Sequence, residues 1–243
     1  MHEKLPGINK LEGLEEPQQE HVLNQLAGHT HERYTTDIKL SEVLTLHGFA
    51  VHEHVLRPDM MTSLFLARHL HERSDLYDGK KVIDMGCGSG IQGVVMGFSG
   101  AKEVILADID EEAVTNAQEN VDRFELGDMA KVVRSDLFSD VNTKADVIVF
   151  NHPFFAAQPI KNIGVSRAML DDGGLIRRFF NDAKSHLNKD GIIIMPYYLL
   201  AGHMNNPQLQ APSNGFAAVE AAREDVTTGL QQGSITITYL TLE

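Results

Sequence analysis

The chain has 243 residues, with 34 Asp and Glu against 21 Lys and Arg, giving a formal charge of −13. That length holds one large domain with a substantial core. The negative charge disfavours a nucleic-acid backbone as partner, and no apolar run reaches transmembrane length. One cysteine, Cys87, excludes an internal disulfide, and its setting in a glycine loop favours a small side chain over a catalytic thiol. The start, Met1 to Gly7, lacks the apolar core of a secretory signal, so the expected location is cytoplasmic, with no membrane partner.

The first forty residues are polar and rich in Gln and Glu, with one short helix expected over Pro17–Leu26. From Ile38 to Val55 apolar and polar residues alternate around His47-Gly48, which predicts a β-hairpin turning at that pair. Asp59 then stands where it would cap a helix running to Arg73, with Met60, Leu64, Ala67 and Leu70 at helical spacing.

A regular alternation follows. Strands are predicted at Lys81–Met85, Glu103–Ala107, Ala130–Arg134, Ala145–Phe150 and Gly191–Met195, with helices over Ile91–Ser99, Glu111–Phe124 and Gly174–Leu187. The near-continuous apolar strands imply burial on both faces, hence a parallel sheet flanked by helices. Gly215–Arg223 and Ser234–Leu242 have no helix between them and predict an antiparallel hairpin at the sheet's end. The expected fold is therefore α/β: a Rossmann-like, doubly wound, mostly parallel sheet closed by a C-terminal hairpin. Residues 1–75 form an N-terminal helix-and-hairpin extension, and residues 76–243 form the main domain.

In such sheets ligands sit beyond the C-terminal strand ends. The first strand ends in Asp84-Met-Gly86-Cys87-Gly88-Ser-Gly90, a loop where ligand must approach bare backbone. The second ends in Asp108-Ile109-Asp110, the third in Asp136-Leu137, and the fourth in Asn151-His152-Pro153-Phe154. Three carboxylates suit a ligand with hydroxyls, amines or positive charge better than a diphosphate. Gly88-Ser-Gly90-Ile-Gln-Gly93 with Asp108 nevertheless also fits a dinucleotide fingerprint, which keeps an NAD(P)-dependent oxidoreductase open as an alternative.

These residues resemble the class I S-adenosylmethionine-dependent methyltransferases. Asp84-x-Gly-x-Gly-x-Gly90 matches their first motif, and Val104-Ile-Leu-Ala-Asp108, with Ala113, Ala117 and Asn120, matches their second. The resemblance implies S-adenosyl-L-methionine as cofactor. It places Asp84 and Gly86 to Gly90, with Cys87, around the methionine part. Asp108 and Ile109 go to the ribose side, Asp136 and Leu137 to the adenine, and Asn151 is counted among the cofactor contacts as well. Asn151-His-Pro-Phe154 resembles the Asn-Pro-Pro-Tyr/Phe signature of enzymes that methylate planar nitrogens, which makes Asn151, His152, Pro153 and Phe154 the expected catalytic residues. The departure is His152 where that signature has proline. Phe49–Thr62 and Met169–Leu175 resemble segments of the release-factor glutamine methyltransferases, and Gly100-Ala-Lys-Glu-Val104 is similar to the ribosomal-protein lysine methyltransferase core. The implied reaction is methyl transfer, to nitrogen of a protein or small molecule. A non-catalytic cofactor-binding module on the same fold is the other reading.

His-x-His occurs at 29/31, 52/54 and 69/71. No cysteine accompanies these pairs, and solvated histidines are expected rather than a metal site. Ala156–Ser166, following the fourth motif, reads either as a lid or as an ordinary surface loop.

Overall fold

A computed structural model describes residues 11–29, 32–161, 163–228 and 231–243. Helix α1 (Glu16–Gly28) is followed by a two-stranded antiparallel sheet of β1 (Tyr34–Lys39) and β2 (Thr45–Val51), then α2 (Met61–Glu72). The alternation then runs β3 (Lys81–Met85), α3 (Ile91–Phe98), β4 (Glu103–Asp108), α4 (Glu111–Arg123), β5 (Ala130–Arg134), β6 (Ala145–Phe150), α5 (Gly174–His186) and β7 (Leu187–Tyr198), closed by β8 (Phe216–Thr228) and β9 (Gln231–Leu242).

The large sheet has the order β5-β4-β3-β6-β7-β9-β8. Strands β5 to β7 are mutually parallel, and β9 and β8 run antiparallel. The expected doubly wound sheet with its terminal hairpin is thus the observed one. The winding reverses between β3 and β6, which are paired in register from Val82↔Val147 to Met85↔Phe150. That reversal opens a crevice at their carboxyl ends. It also brings the glycine loop after β3 beside Asn151 after β6.

Both sheet faces are covered. One core cluster joins Val82, Val104 and Val147 of the sheet to Leu66 and Leu70 of α2, and includes Phe49 and Val51 of the hairpin. The other packs Ile83, Ile148 and Ile193 against Phe179 and Phe180 of α5. Alternate residues of one strand therefore feed opposite cores, which is why the strands read as unbroken apolar runs.

Three local expectations need correcting. The hairpin turns at Leu40–Leu44, where Ser41 Oγ accepts the N–H groups of Val43 and Leu44, and not at His47-Gly48. Gly48 lies inside β2 opposite a bulge, and Asp37 accepts its N–H at 2.8 Å. Glycine marks a bulge as readily as a turn. Asp59 does not cap α2: both its oxygens are taken by the Arg57 guanidinium at 3.1 and 2.7 Å, and the helix starts after Met60. Finally, β7 extends through Tyr198 because β9 continues to pair with it as far as Ile235.

Candidate active site

The crevice is a cleft lined by Gly86, Cys87, Gly88, Asp108, Ile109 and Asn151, among others. The loop that forms its floor is held from below. Asp84 is 1% exposed, and its Oδ2 accepts the Gly93 N–H, in the first turn of α3, at 2.8 Å. Burial pushes its carboxyl up to about 7. Asp84 therefore does not face the cleft. It occupies a helix-start N–H that a diphosphate would need, and so speaks against the dinucleotide fingerprint. Gly90 also lies outside the lining. It has φ +84°, and a Cβ there would meet Ala117 and Leu106 at 3.2 Å, so glycine lets the loop pack against α4. Gly88 has φ +54° with open space where a Cβ would be, and it lines the cleft.

Asp108, at the end of β4, accepts the Gly88 N–H and the Asp110 N–H, each at 2.9 Å. The carboxylate thereby fixes the loop, while each oxygen retains a lone pair for a ligand. Its pKa is raised, chiefly by burial. Burial and the nearby Asp108 and Asp84 charges also push the Cys87 thiol well up, so it stays protonated and unreactive, as its small-residue reading requires.

Two buried asparagines of α4 tie the N-terminal hairpin to this loop. Asn120 Oδ1 accepts the Ala50 N–H at 2.8 Å, and its Nδ2 donates to the carbonyls of Ala50 (2.8 Å) and Ser89 (2.9 Å). Asn116 accepts the His52 N–H at 2.9 Å and donates to the Ala50 carbonyl at 2.9 Å. The chain after β2 is thus fixed over the cleft, where His54, Val55 and Pro58 form part of its rim.

At the end of β6, the Asn151 side-chain Nδ2 donates to Ser63 Oγ of α2 at 3.0 Å. No hydrogen bond within the described residues engages Asn151 Oδ1. Ser63 was not legible as a site residue: the neighbouring Thr62 carried the sequence resemblance, and serine on a helix has no signature of its own. Asn151, Ser63, Leu56 and Ala168 border both the cleft and a second, smaller cavity. Phe154 and His152 line that second cavity, whereas Pro153 lines the cleft. The four residues of the motif therefore straddle the junction of two spaces.

Asp136 and Leu137 line neither space. Asp136 pairs with Arg178 of α5 at 2.6 Å, and Leu137 is buried in the core. The expected rim of three carboxylates thus reduces to Asp108, with Asp84 beneath the loop and Asp136 aside. Of the segment Ala156–Ser166, Gly164 and Val165 border the cleft, and Ser166 Oγ accepts the Ile160 N–H at 2.9 Å. The histidine pairs are scattered. His52 meets Glu119 at 2.7 Å, His54 lies on the cleft rim, His69 meets the Tyr239 hydroxyl at 2.6 Å, and His71 lies near Ser41 and Ser99. His29 receives the Arg57 N–H, and His31 lies outside the described residues. Among the described residues no three His, Cys, Asp or Glu converge as a metal site would require.

The "Methyltransferase small domain" family matches residues 43–199. The release factor glutamine methyltransferase of Borreliella burgdorferi is 30% identical over 156 residues, covering 60% of this chain and 54% of that protein. A ribosomal protein L11 methyltransferase of Thermoanaerobacter pseudethanolicus is 50% identical over 70 residues, covering 29% of this chain and 22% of that protein. The chain thus spans about half the length, or less, of these relatives. Among solved structures, the ribosomal protein L11 methylase of Lactobacillus delbrueckii subsp. bulgaricus superposes with a TM-score of 0.56 at 22% identity, covering 83% of this chain and 97% of that one. The 16S rRNA N2 G1207 methyltransferase of T. thermophilus, in complex with AdoMet and guanosine, superposes with a TM-score of 0.58 at 18% identity, covering 88% and 51%.

Proposed function

The chain belongs to the methyltransferase small-domain family, whose cofactor is S-adenosylmethionine, and from that premise we propose that it methylates a planar amide or amino nitrogen of a protein or small molecule. The observation that carries this reading is the position of Asn151 at the junction of two cavities, with Nδ2 held by Ser63 and Oδ1 left free. The cleft suits the cofactor. Bare backbone at Gly86 and Gly88 admits close approach, Asp108 offers acceptors for hydroxyls, and its charge favours a cation. The second cavity then receives the acceptor.

S-adenosylmethionine, when bound, supplies a methyl group on a positive sulfur. The protein's task is to orient the nitrogen. In a conjugated –NH2 the lone pair is delocalised and weakly nucleophilic. Asn151 Oδ1 and the His152 carbonyl oxygen accept its two N–H groups, which turns the lone pair toward the cleft. Phe154 stacks on the flat acceptor. The cofactor would supply its methyl group in line with that lone pair, and the proton the nitrogen sheds would leave through the N–H groups held by Asn151 Oδ1 and the His152 carbonyl oxygen to water, so no strong side-chain base is needed. Positioning and fixed dipoles supply the acceleration.

The test is calorimetric titration with S-adenosylhomocysteine, joined to labelled-methyl transfer from S-adenosylmethionine onto fractionated lysate. The wild type binds and transfers, and Asn151→Ala binds but transfers at least a hundredfold more slowly. Absence of cofactor binding by the wild type, or full transfer by Asn151→Ala, refutes the reading. Cofactor binding by both proteins with no transfer by either is what a non-catalytic module predicts.

A further inference from the structure

Helix α1 lies outside the matched residues 43–199, yet it contributes His21 and Gln25 to the wall of the second cavity, the one that Asn151 borders. The two are one helical turn apart, so their side chains leave the same face of α1. His21 is held between Phe155 and Tyr198, with ring centroids at 5.5 and 5.1 Å. Among the described residues no hydrogen bond engages either ring nitrogen, and neither is sealed from solvent. Burial alone pulls the imidazole down to about 4, with no charged or hydrogen-bonding group contributing. The ring is therefore neutral near pH 7 and carries one N–H donor and one lone pair.

Gln25 is half-buried, and no hydrogen bond engages its carboxamide among the described residues. Much of the remaining wall is apolar, with Leu56, Met60, Phe154 and Met169. No Asp, Glu, Lys or Arg belongs to it among the described residues. A ligand that fills this cavity displaces the water serving His21 and Gln25, and one that offers them nothing leaves them unpaired. A site of that kind discriminates strongly against an analogue lacking the matching groups. Both side chains offer a donor and an acceptor, so the matching group does both without charge, as an amide does. A charged group would lose its hydration and meet no counter-charge.

Resting on the reading above, we propose that His21 and Gln25 are specificity-determining residues: together they hydrogen-bond an uncharged amide of the methyl acceptor, beside the nitrogen to be methylated. Helix α1 thereby reads the acceptor at a point separate from Asn151.

The test uses the full chain saturated with S-adenosylhomocysteine and titrated calorimetrically with 3- and 4-acetamidobenzamide. Their apolar isosteres, 3- and 4-isobutylbenzamide, serve as controls. At least one acetamido probe binds the wild type. Its affinity falls about fivefold in His21→Phe and again in Gln25→Leu, one neutral hydrogen bond in each case. The isobutyl probe of the same substitution pattern changes less than twofold or does not bind at all, and S-adenosylhomocysteine affinity stays within twofold. Phenylalanine keeps a ring between Phe155 and Tyr198, so the sandwich survives the substitution. Equal losses for the two kinds of probe mark a distorted cavity and overturn the proposal. So does acetamido affinity unchanged in either variant, or no acetamido binding by a wild type that binds S-adenosylhomocysteine. If His21→Phe fails to fold, Gln25→Leu decides by the same comparison. Failure of the wild type to bind S-adenosylhomocysteine is a separate result, and refutes the methyltransferase reading beneath this one.

Discussion

Asn151 and Ser63, 88 positions apart in sequence, meet through a 3.0 Å hydrogen bond from the Asn151 amide to the Ser63 hydroxyl. The bond spends the donor end of the amide on the protein and leaves the oxygen end without a hydrogen bond among the described residues. Ser63→Ala frees the amide to rotate. We expect methyl transfer to fall about fivefold, the cost of roughly 1 kcal/mol of orientation, while the dissociation constant for S-adenosylhomocysteine changes less than threefold. Single-turnover transfer and calorimetry on the same preparation separate the two effects. A parallel loss of binding and transfer would place Ser63 in cofactor binding instead.

Asn120 makes three buried hydrogen bonds, two to Ala50 and one to the glycine loop at Ser89. Asn120→Ala leaves these backbone groups without side-chain partners, at a cost of about 3 kcal/mol. Urea denaturation measures the loss. Because the bonds bridge β2 and the loop, S-adenosylhomocysteine affinity falls as well, by an amount that Asn120→Asp partly restores through the retained acceptor.

Gly88 and Gly90 share a left-handed backbone but differ in what surrounds them. Gly88→Ala adds a methyl to open space in the cleft and costs about 1 kcal/mol of stability, yet it obstructs the ligand. Gly90→Ala drives its methyl against Ala117 and Leu106, and the overpacking adds to the backbone strain for a total of about 3 kcal/mol. The expected pattern is a folded, non-binding Gly88→Ala and a destabilised Gly90→Ala. Thermal melts with and without S-adenosylhomocysteine distinguish them.

Asp84 gives the protein a stability term with an unusual pH sign. Its carboxyl titrates near 7 when folded, against 3.8 as a free side chain. The folded state therefore holds the proton more tightly, and this contribution is lost as pH rises from about 4 through 7. His21 and His152, neutral when folded down to about 4, work the other way: their contribution is present above about 6.5 and lost as pH falls toward 4. Asp84→Asn removes only the first term and keeps an oxygen for the Gly93 N–H. Its stability relative to wild type should therefore improve between pH 5 and pH 8 by on the order of 2 kcal/mol. Guanidinium titrations at both pH values check the sign, and an unchanged difference would show that Asp84 does not titrate in this range.

The sheet was legible because burial on both faces leaves an unmistakable pattern: β3 and β6 occupy the residues that their apolar runs predict. The strand-end rule likewise located the glycine loop, Asp108 and Asn151. Which way a side chain faces was not legible. Asp84, Asp108 and Asp136 look alike in sequence, yet one clamps α3 from below, one faces the cleft and one pairs with Arg178. Long-range partners were equally hidden. Nothing near Ser63 announces Asn151, and nothing in α1 announces that it walls a cavity beside His152, because those meetings depend on packing between distant segments.

The position of α1 separates two properties that enzymes often encode together. The glycine loop, Asp108 and Asn151 lie within residues 43–199, while His21 and Gln25 lie before them. On the proposed reading, substitutions on one face of a single short helix redraw the range of acceptors without touching the residues assigned to the methyl donor. A library confined to that face would explore substrate preference on a constant catalytic background.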